Sequence, residues 1–137
     1  MALTLTCYGG AETVTGSHFL ITDGTTKVLV DCGLEQGKES SEMSAYEPFA
    51  YDPSTIDALI ITHAHLDHVG RAPKLVRDGF RGVIYMTPPT RDLSELIVRD
   101  SEHILGEKAR ERGIPRLYDE KDVETFLSLI QTVRYRH

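Results

Sequence analysis

Three features that would indicate particular classes of protein are missing from this sequence. No apolar run approaches the roughly 18 residues that cross a bilayer. The start, MALTLTCYGG, has no basic stretch ahead of its apolar residues, so it predicts a strand and not a secretory signal. Positive charge is scarce, since 15 Lys and Arg face 21 Asp and Glu, and the net charge of −6 argues against a basic nucleic-acid-binding surface. We expect a cytoplasmic protein without a membrane segment.

Cysteine is also scarce. The only two, Cys7 and Cys32, fall in apolar, strand-like segments. In a chain without an export signal, thiols are expected to stay reduced. We therefore predict that both side chains are buried small apolar groups and that they form no disulfide.

The composition is that of one globular domain, with 137 residues, 40% of them apolar and 26% charged. Short β-rich segments bounded by glycine predict strands at 3–8, 17–23, 26–32, 57–62 and 82–86. Gly24-Thr25 lies between two of these segments and predicts a hairpin. The stretch 33–55, rich in glycine, proline and serine, predicts a long loop of the kind that often has a function.

Helical spacing of apolar residues appears in the second half of the chain. It predicts a helix over 67–78, a long helix over 88–113 and a further helix from Asp119. The long helix begins with proline after Thr87, a good cap, and carries on one face Leu93, Leu96, Ile97, Ile104 and Leu105. The last residues, VRYRH, predict a final strand.

Four side chains that commonly bind metals follow the strand at 57–62 within six residues: His63, His65, Asp67 and His68. The carboxyl end of a buried strand is where open α/β sheets place their ligands. Imidazole suits zinc, and a neighbouring carboxylate suits zinc or manganese. A polar loop with accidental histidines is the plain alternative. The concentration of donors directly after a buried strand favours a pair of metal ions.

The segment THAHLDHVG resembles the HxHxDH signature of the metallo-β-lactamase superfamily. GGAETVTGSHFLI, VLVDCG, QGKE, GRAPKLVRDGFRG and YDEKDVE are similar to the β-CASP branch, which comprises RNA-processing nucleases. The resemblance implies an α/β fold, the N-terminal half of an αββα sandwich. Residues 1–137 would form a partial metallo-β-lactamase-like domain, with its remainder and the β-CASP domain absent.

The resemblance also implies roles for individual residues. His63 and His65 would bind a first zinc ion, and Asp67 and His68 a second. Asp67 would in addition be the catalytic residue that orients the attacking water. Asp31, at the end of VLVD, would orient a ligand histidine, although a plain turn residue before a glycine is the alternative.

Several neighbouring features complete this expectation. Ser17, with the preceding Thr15-Gly16, matches a loop beside the site. Further ligands expected of the family, among them a histidine in a GHxxGS-like context, have no match in the sequence. We expect His18 to be a packing or surface residue of a strand, His103 to be a surface residue of a helix, and His137 to be incidental. The site would then be incomplete, and the chain by itself inactive.

The leading functional hypothesis is the N-terminal part of a zinc-dependent RNA phosphodiester hydrolase, with two zinc ions as cofactors and RNA as partner. Four basic residues around the helix after the histidine run, Arg71, Lys74, Arg77 and Arg81, could contact a nucleic-acid backbone but more often form a solvated face. Two alternatives stay open: a thioester, lactone or cyclic-nucleotide hydrolase of the same superfamily, and a non-catalytic binding module. An uncovered apolar sheet face would favour self-association.

Overall fold

The computed structural model describes residues 2–136, and within them a six-stranded mixed sheet follows the order of the chain. Its first three strands pair antiparallel, and β3 to β6 pair in parallel. The strands are β1 (Thr4–Gly9), β2 (His18–Thr22), β3 (Lys27–Val30), β4 (Ala58–Ile60), β5 (Val83–Met86) and β6 (Ile130–Thr132). The predictions of an α/β fold and of the first five strands are confirmed.

Helices occupy the connections between the strands. They are α1 (Glu39–Ser44), α2 (Leu66–Val69), α3 (Ala72–Arg77), α4 (Pro88–Arg112) and α5 (Glu120–Ser128). One side of the sheet packs against them, because the in-register row Leu20, Leu29, Leu59 and Ile84 lies in a buried cluster with residues of α3, α4 and α5. In the described part of the chain, no helix is both long and apolar enough to cross a membrane.

The opposite side of the sheet is apolar and open to solvent. Strand alternation places Leu5, Ile21 and Val28 in one row, and Phe19, Val30, Ile60 and Tyr85 in the next. Leu5 is 62% exposed and Ile60, on a central strand, is 40% exposed. We call these seven residues the open sheet face. A sheet covered by helices on one side only is what half of a layered sandwich presents.

The hairpin prediction is confirmed, and the helix prediction at 67–78 is confirmed only in part. β2 and β3 pair up to Thr22 and Lys27, and the Asp23 carboxylate accepts the N–H groups of Thr25 and Thr26 in the turn. The helix is instead two short ones, α2 and α3. Pro73 has no N–H to donate to the carbonyl four residues earlier, so one continuous helix would lose a hydrogen bond there.

Three other predictions about local structure are wrong. The stretch 33–55 is not a bare loop, since it contains α1 and a 3₁₀ turn at Pro53–Thr55. The last strand is Ile130–Thr132 and not VRYRH; residues 133–136 are not in a strand, and His137 lies outside the described residues. Cys7 is exposed, because β1 is an edge strand, whereas Cys32 is buried as predicted.

The face of α4 that carries these five apolar residues is not the buried face of the helix. Leu93, Leu96 and Ile104 are exposed, and only Ile97 and Leu105 pack partly against the core. Small residues face inward instead, among them Ser94, Val98 and Ser101. The helix contacts α2 and α5, and small side chains let these backbones approach closely.

Candidate metal centre

The four predicted ligands lie where β4 ends, between two parallel neighbours. Directly after β4, the Ile61 N–H donates to the Tyr85 carbonyl of β5 at 3.0 Å. On the other side the Asp31 N–H donates to the Ile60 carbonyl at 2.8 Å. The chain therefore leaves the sheet at Thr62 with its direction fixed on both sides, and the histidine run begins at the next residue.

Asp31 is the centre of the hydrogen bonds at this site. Its side chain is buried, and its carboxylate accepts the Thr62 N–H at 2.9 Å, the Thr62 hydroxyl at 2.9 and 3.0 Å, and the Ser17 hydroxyl at 3.2 Å. It also lies 2.7 Å from His68 Nδ1. A plain turn residue would not gather these partners. The position of Ser17 beside the site is also as expected.

The bond to Asp31 determines how His68 is presented. A carboxylate accepts, so His68 Nδ1 carries the hydrogen and Nε2 is left for another partner. That atom lies 3.5 Å from the Asp67 carboxylate. The ring centre of His63 is 3.9 Å from that of His68 and 4.7 Å from that of His65. The structure thus brings all four predicted side chains to one place.

The donors suit zinc in kind, but the cluster is incomplete as a binding site. Imidazole nitrogen beside carboxylate oxygen is a common zinc set, and a histidine whose Nδ1 is held by a carboxylate is the usual support of a ligand bound through Nε2. Among residues 2–136, however, no group of three or more His, Cys, Asp or Glu side chains is arranged to hold an ion. The donor types and the orientation of His68 suit zinc. A bound ion would still need further donors, or a small movement of the histidine rings.

Backbone hydrogen bonds attach the histidine turn to the segment after β3 and to Ser17, just before β2. The Cys32 N–H donates to the His68 carbonyl at 2.8 Å, the Leu34 N–H to the Leu66 carbonyl at 3.1 Å, and the Ser17 N–H to the Asp67 carbonyl at 2.9 Å. Between them Gly33 passes so close that a Cβ atom there would lie 1.6 Å from the Asp67 carbonyl oxygen. These contacts explain the glycine of the DCG segment.

His18 is a residue of this site that the sequence reading missed. It is buried and not on the surface; its Nδ1 lies 2.8 Å from the Asp31 carbonyl oxygen and its Nε2 lies 2.6 Å from the Tyr51 hydroxyl. Burial lowers the pKa of His18 to about 4, so the ring is neutral near pH 7. These partners are 13 and 33 positions away along the chain, and no local pattern of the sequence shows them.

His103 and the basic residues complete the comparison with the sequence predictions. His103 is exposed on α4, as expected. The basic residues form neither a free basic patch nor a purely solvated face. The Arg71 guanidinium donates to the Ala45 and Glu47 carbonyls, buried Lys74 pairs with Asp78, and Arg77 pairs with Asp122. The guanidinium of Arg81 donates to carbonyls of its own segment.

Comparison with known proteins identifies the family. A family model described as the metallo-beta-lactamase superfamily matches residues 12–134, which is most of the chain. The chain belongs to this superfamily. The resemblance carried by the HxHxDH segment and its neighbours is thereby confirmed.

Two curated relatives of this chain are named as a ribonuclease and as a transcription termination factor. Ribonuclease TTHA0252 of Thermus thermophilus is 41% identical over 93% of this chain and 27% of its own length. Transcription termination factor FttA of Methanosarcina mazei is 42% identical over 70% of this chain and 15% of its own length. The chain spans about a quarter or less of these relatives. A solved Cronobacter sakazakii metallo-beta-lactamase with a HARLDQ motif aligns at a TM-score of 0.42 and 20% identity, over 58% of this chain and 28% of that one.

Proposed function

We propose that this chain is the N-terminal part of a zinc-dependent RNA phosphodiester hydrolase of the β-CASP branch, with an RNA substrate and a cytoplasmic location. The observation that carries the proposal is the presentation of His68. Its Nδ1 is held by Asp31, and its Nε2 is turned to Asp67 beside the rings of His63 and His65. Relatives named as a ribonuclease and as termination factors support RNA as the substrate.

Each side chain of the cluster has a distinct part in this proposal. His63 and His65 would hold one zinc ion, Asp67 and His68 a second, and Asp31 would keep His68 in the tautomer that a ligand needs. Bound zinc would lower the pKa of a water molecule and stabilise the charge that develops on phosphate oxygens. Asp67 would orient that water. No serine or cysteine nucleophile is then required.

Contacts to the RNA backbone would have to come from elsewhere in a complete protein. Lys74 and Arg77 are paired with carboxylates of this chain, and the Arg71 guanidinium donates to backbone carbonyls, so this helix offers few unengaged donors to phosphates. We propose that a longer chain, with a β-CASP domain, supplies both the missing metal ligands and the RNA contacts. RNA as substrate thus rests on the site and the relatives, not on surface charge.

Zinc binding by the 137-residue chain tests the metal assignment. We expect fewer than two zinc ions per chain after dialysis, held weakly, because the four donors are only part of a two-metal site. His68→Ala should lower the zinc content, whereas His103→Ala, at an exposed histidine of α4, should leave it unchanged. Metal analysis of the dialysed proteins measures both. Two tightly held ions in the wild-type chain would contradict the incomplete site.

Cleavage of RNA by a complete parent protein tests the catalytic assignment. We expect Asp67→Ala to lower the rate by at least about a hundredfold, since a group that positions the reacting water contributes at least that much. Arg77→Ala, which removes only an ion pair with Asp122, should change the rate less than about threefold. The same assay on a thioester distinguishes the alternative hydrolase class. The isolated chain should show no chelator-sensitive cleavage. Clear turnover by the isolated chain would contradict the proposal that its site is incomplete.

A further inference from the structure

A partly buried series of hydrogen bonds connects Tyr51 to the candidate metal centre through His18 and Asp31. The carbonyl of Asp31 can only accept, so His18 Nδ1, 2.8 Å away, carries the hydrogen. Its Nε2 is then an acceptor for the Tyr51 hydroxyl at 2.6 Å. On the far side, the Asp31 carboxylate accepts from His68 Nδ1 at 2.7 Å. Hydrogen bonds thus run from a residue outside the cluster to a candidate ligand.

Within this series of hydrogen bonds, the backbone of Asp31 is strained. Its φ of +61° lies in the left-handed region, which costs a non-glycine residue about 1 kcal/mol. Its N–H is held by the Ile60 carbonyl, and its carbonyl accepts from His18. The same peptide group also donates the Cys32 N–H to the His68 carbonyl. Loss of the His18 donor would leave it held at that end alone, so that its carbonyl could tilt and redirect the carboxylate that holds His68.

We propose that His18 is a positioning residue for the metal centre, which fixes the Asp31 backbone and through it the orientation and tautomer of His68. The inference rests on the proposed function, because a zinc ion on Nε2 requires the hydrogen to stay on Nδ1. His18 itself contacts neither metal nor substrate in this role. Tyr51 assists by holding the His18 ring in place.

Imidazole nitrogen NMR of the 137-residue chain at about pH 8, where histidine is ordinarily neutral, tests this without activity. In the wild type we expect His68 to carry its hydrogen on Nδ1. His18→Phe keeps a ring but no donor, and should shift the His68 signals toward a mixture of tautomers and weaken zinc binding by about tenfold. His18→Asn retains a donor near the position of Nδ1, so it should restore most of the Nδ1–H tautomer of His68 and most of the zinc affinity. Tyr51→Phe should have a smaller effect in the same direction.

Two controls separate positioning from loss of stability. His103→Phe makes the same substitution at an exposed site, and Phe126→Leu destabilises the core at α5, away from the cluster. Neither should alter the His68 signals. An unchanged His68 tautomer in His18→Phe, or an equal shift in Phe126→Leu, overturns the proposal. If His18→Phe does not fold, Tyr51→Phe decides by the same signals. A complete parent protein without zinc-dependent RNA cleavage contradicts the proposed function, whereas the tautomer comparison by itself decides the positioning of His68.

Discussion

A neutral histidine buried beside the candidate metal centre makes the folded state sensitive to acid. The pKa of His18 falls from 6.5 to about 4 on folding because burial removes the charged ring from water. Above pH 6.5 neither folded nor unfolded chain carries this proton. Between pH 6.5 and 4 the unfolded chain binds it and the folded chain does not, so stability decreases as the pH falls.

We expect this one residue to contribute a loss of up to about 3 kcal/mol in the free energy of unfolding across that interval. Urea unfolding at a series of pH values measures it. In His18→Gln the curve should be flatter between pH 6.5 and 4, whereas His103→Gln, which removes an exposed histidine, should leave the slope as in the wild type. Equal slopes for wild type and His18→Gln would show that this residue does not titrate as described.

For single residues, the sequence indicated the four candidate donors and one of their supports, Asp31, but not the second support, His18. His63, His65, Asp67 and His68 follow one another after a strand, so a local pattern shows them. Asp31 was found through the resemblance alone. His18 has the alternating position of an ordinary strand residue, and its role depends on two partners far along the chain, which only the folded structure brings together.

Among the elements, the loop after β3 depends on one close approach of two backbones. Gly33→Ala would place a methyl group within 1.6 Å of the Asp67 carbonyl oxygen, so α2 or the loop must move. We expect a loss of about 3 kcal/mol, as for severe overpacking. Gly113→Ala is the matched control: its φ is +65° and nothing lies within 4 Å, so only about 1 kcal/mol of backbone strain is added.

Urea unfolding of the two alanine variants measures this difference. The zinc content of Gly33→Ala should also fall, because the displaced carbonyl belongs to Asp67. Similar losses of stability in the two variants would mean that the loop accommodates a methyl group by a small shift, and that the close approach does not constrain the site.

Predictions about elements succeeded where the apolar pattern is simple and failed where packing decides. β4 and β5 are short apolar runs in the middle of the sheet, so they were predicted correctly as strands, although only one face of each is buried. The buried face of α4 did not follow from the apolar pattern, because close contact with α2 and α5 selects small residues such as Ser94 and Ser101 over leucine. A search for apolar side chains at helical spacing therefore finds the exposed face of this helix.

For the whole molecule, the open sheet face is the feature with the largest consequence. An uncovered apolar surface on the order of several hundred Å² favours association. We expect the 137-residue chain to self-associate through this face. Ile60→Lys, at its centre, should weaken association by at least tenfold, whereas Leu96→Lys makes the same kind of change at an exposed leucine of α4 and should not.

Sedimentation over a range of concentrations, with thermal unfolding of the same samples, tests this expectation. The sequence predicted an apolar inner sheet face with side chains from LIIT and VLVD, but not which residues of β1 and β2 extend it. That extension depends on register, which pairs Leu5 with Ile21 and Ile21 with Val28. A monomer that melts cooperatively at low concentration would show that the half-sandwich is stable without a cover.

The backbone bonds around Gly33 also bear on how this site can diverge between related genes. Cys32 and Leu34 hold the histidine turn through their N–H groups, which every amino acid except proline possesses. Substitutions at these two positions can thus accumulate without loosening that attachment, provided that the new side chains still pack. Selection would act instead on Gly33 and on Asp31. A heavily diverged copy of this gene should therefore keep these two residues after Cys32 and Leu34 have been substituted.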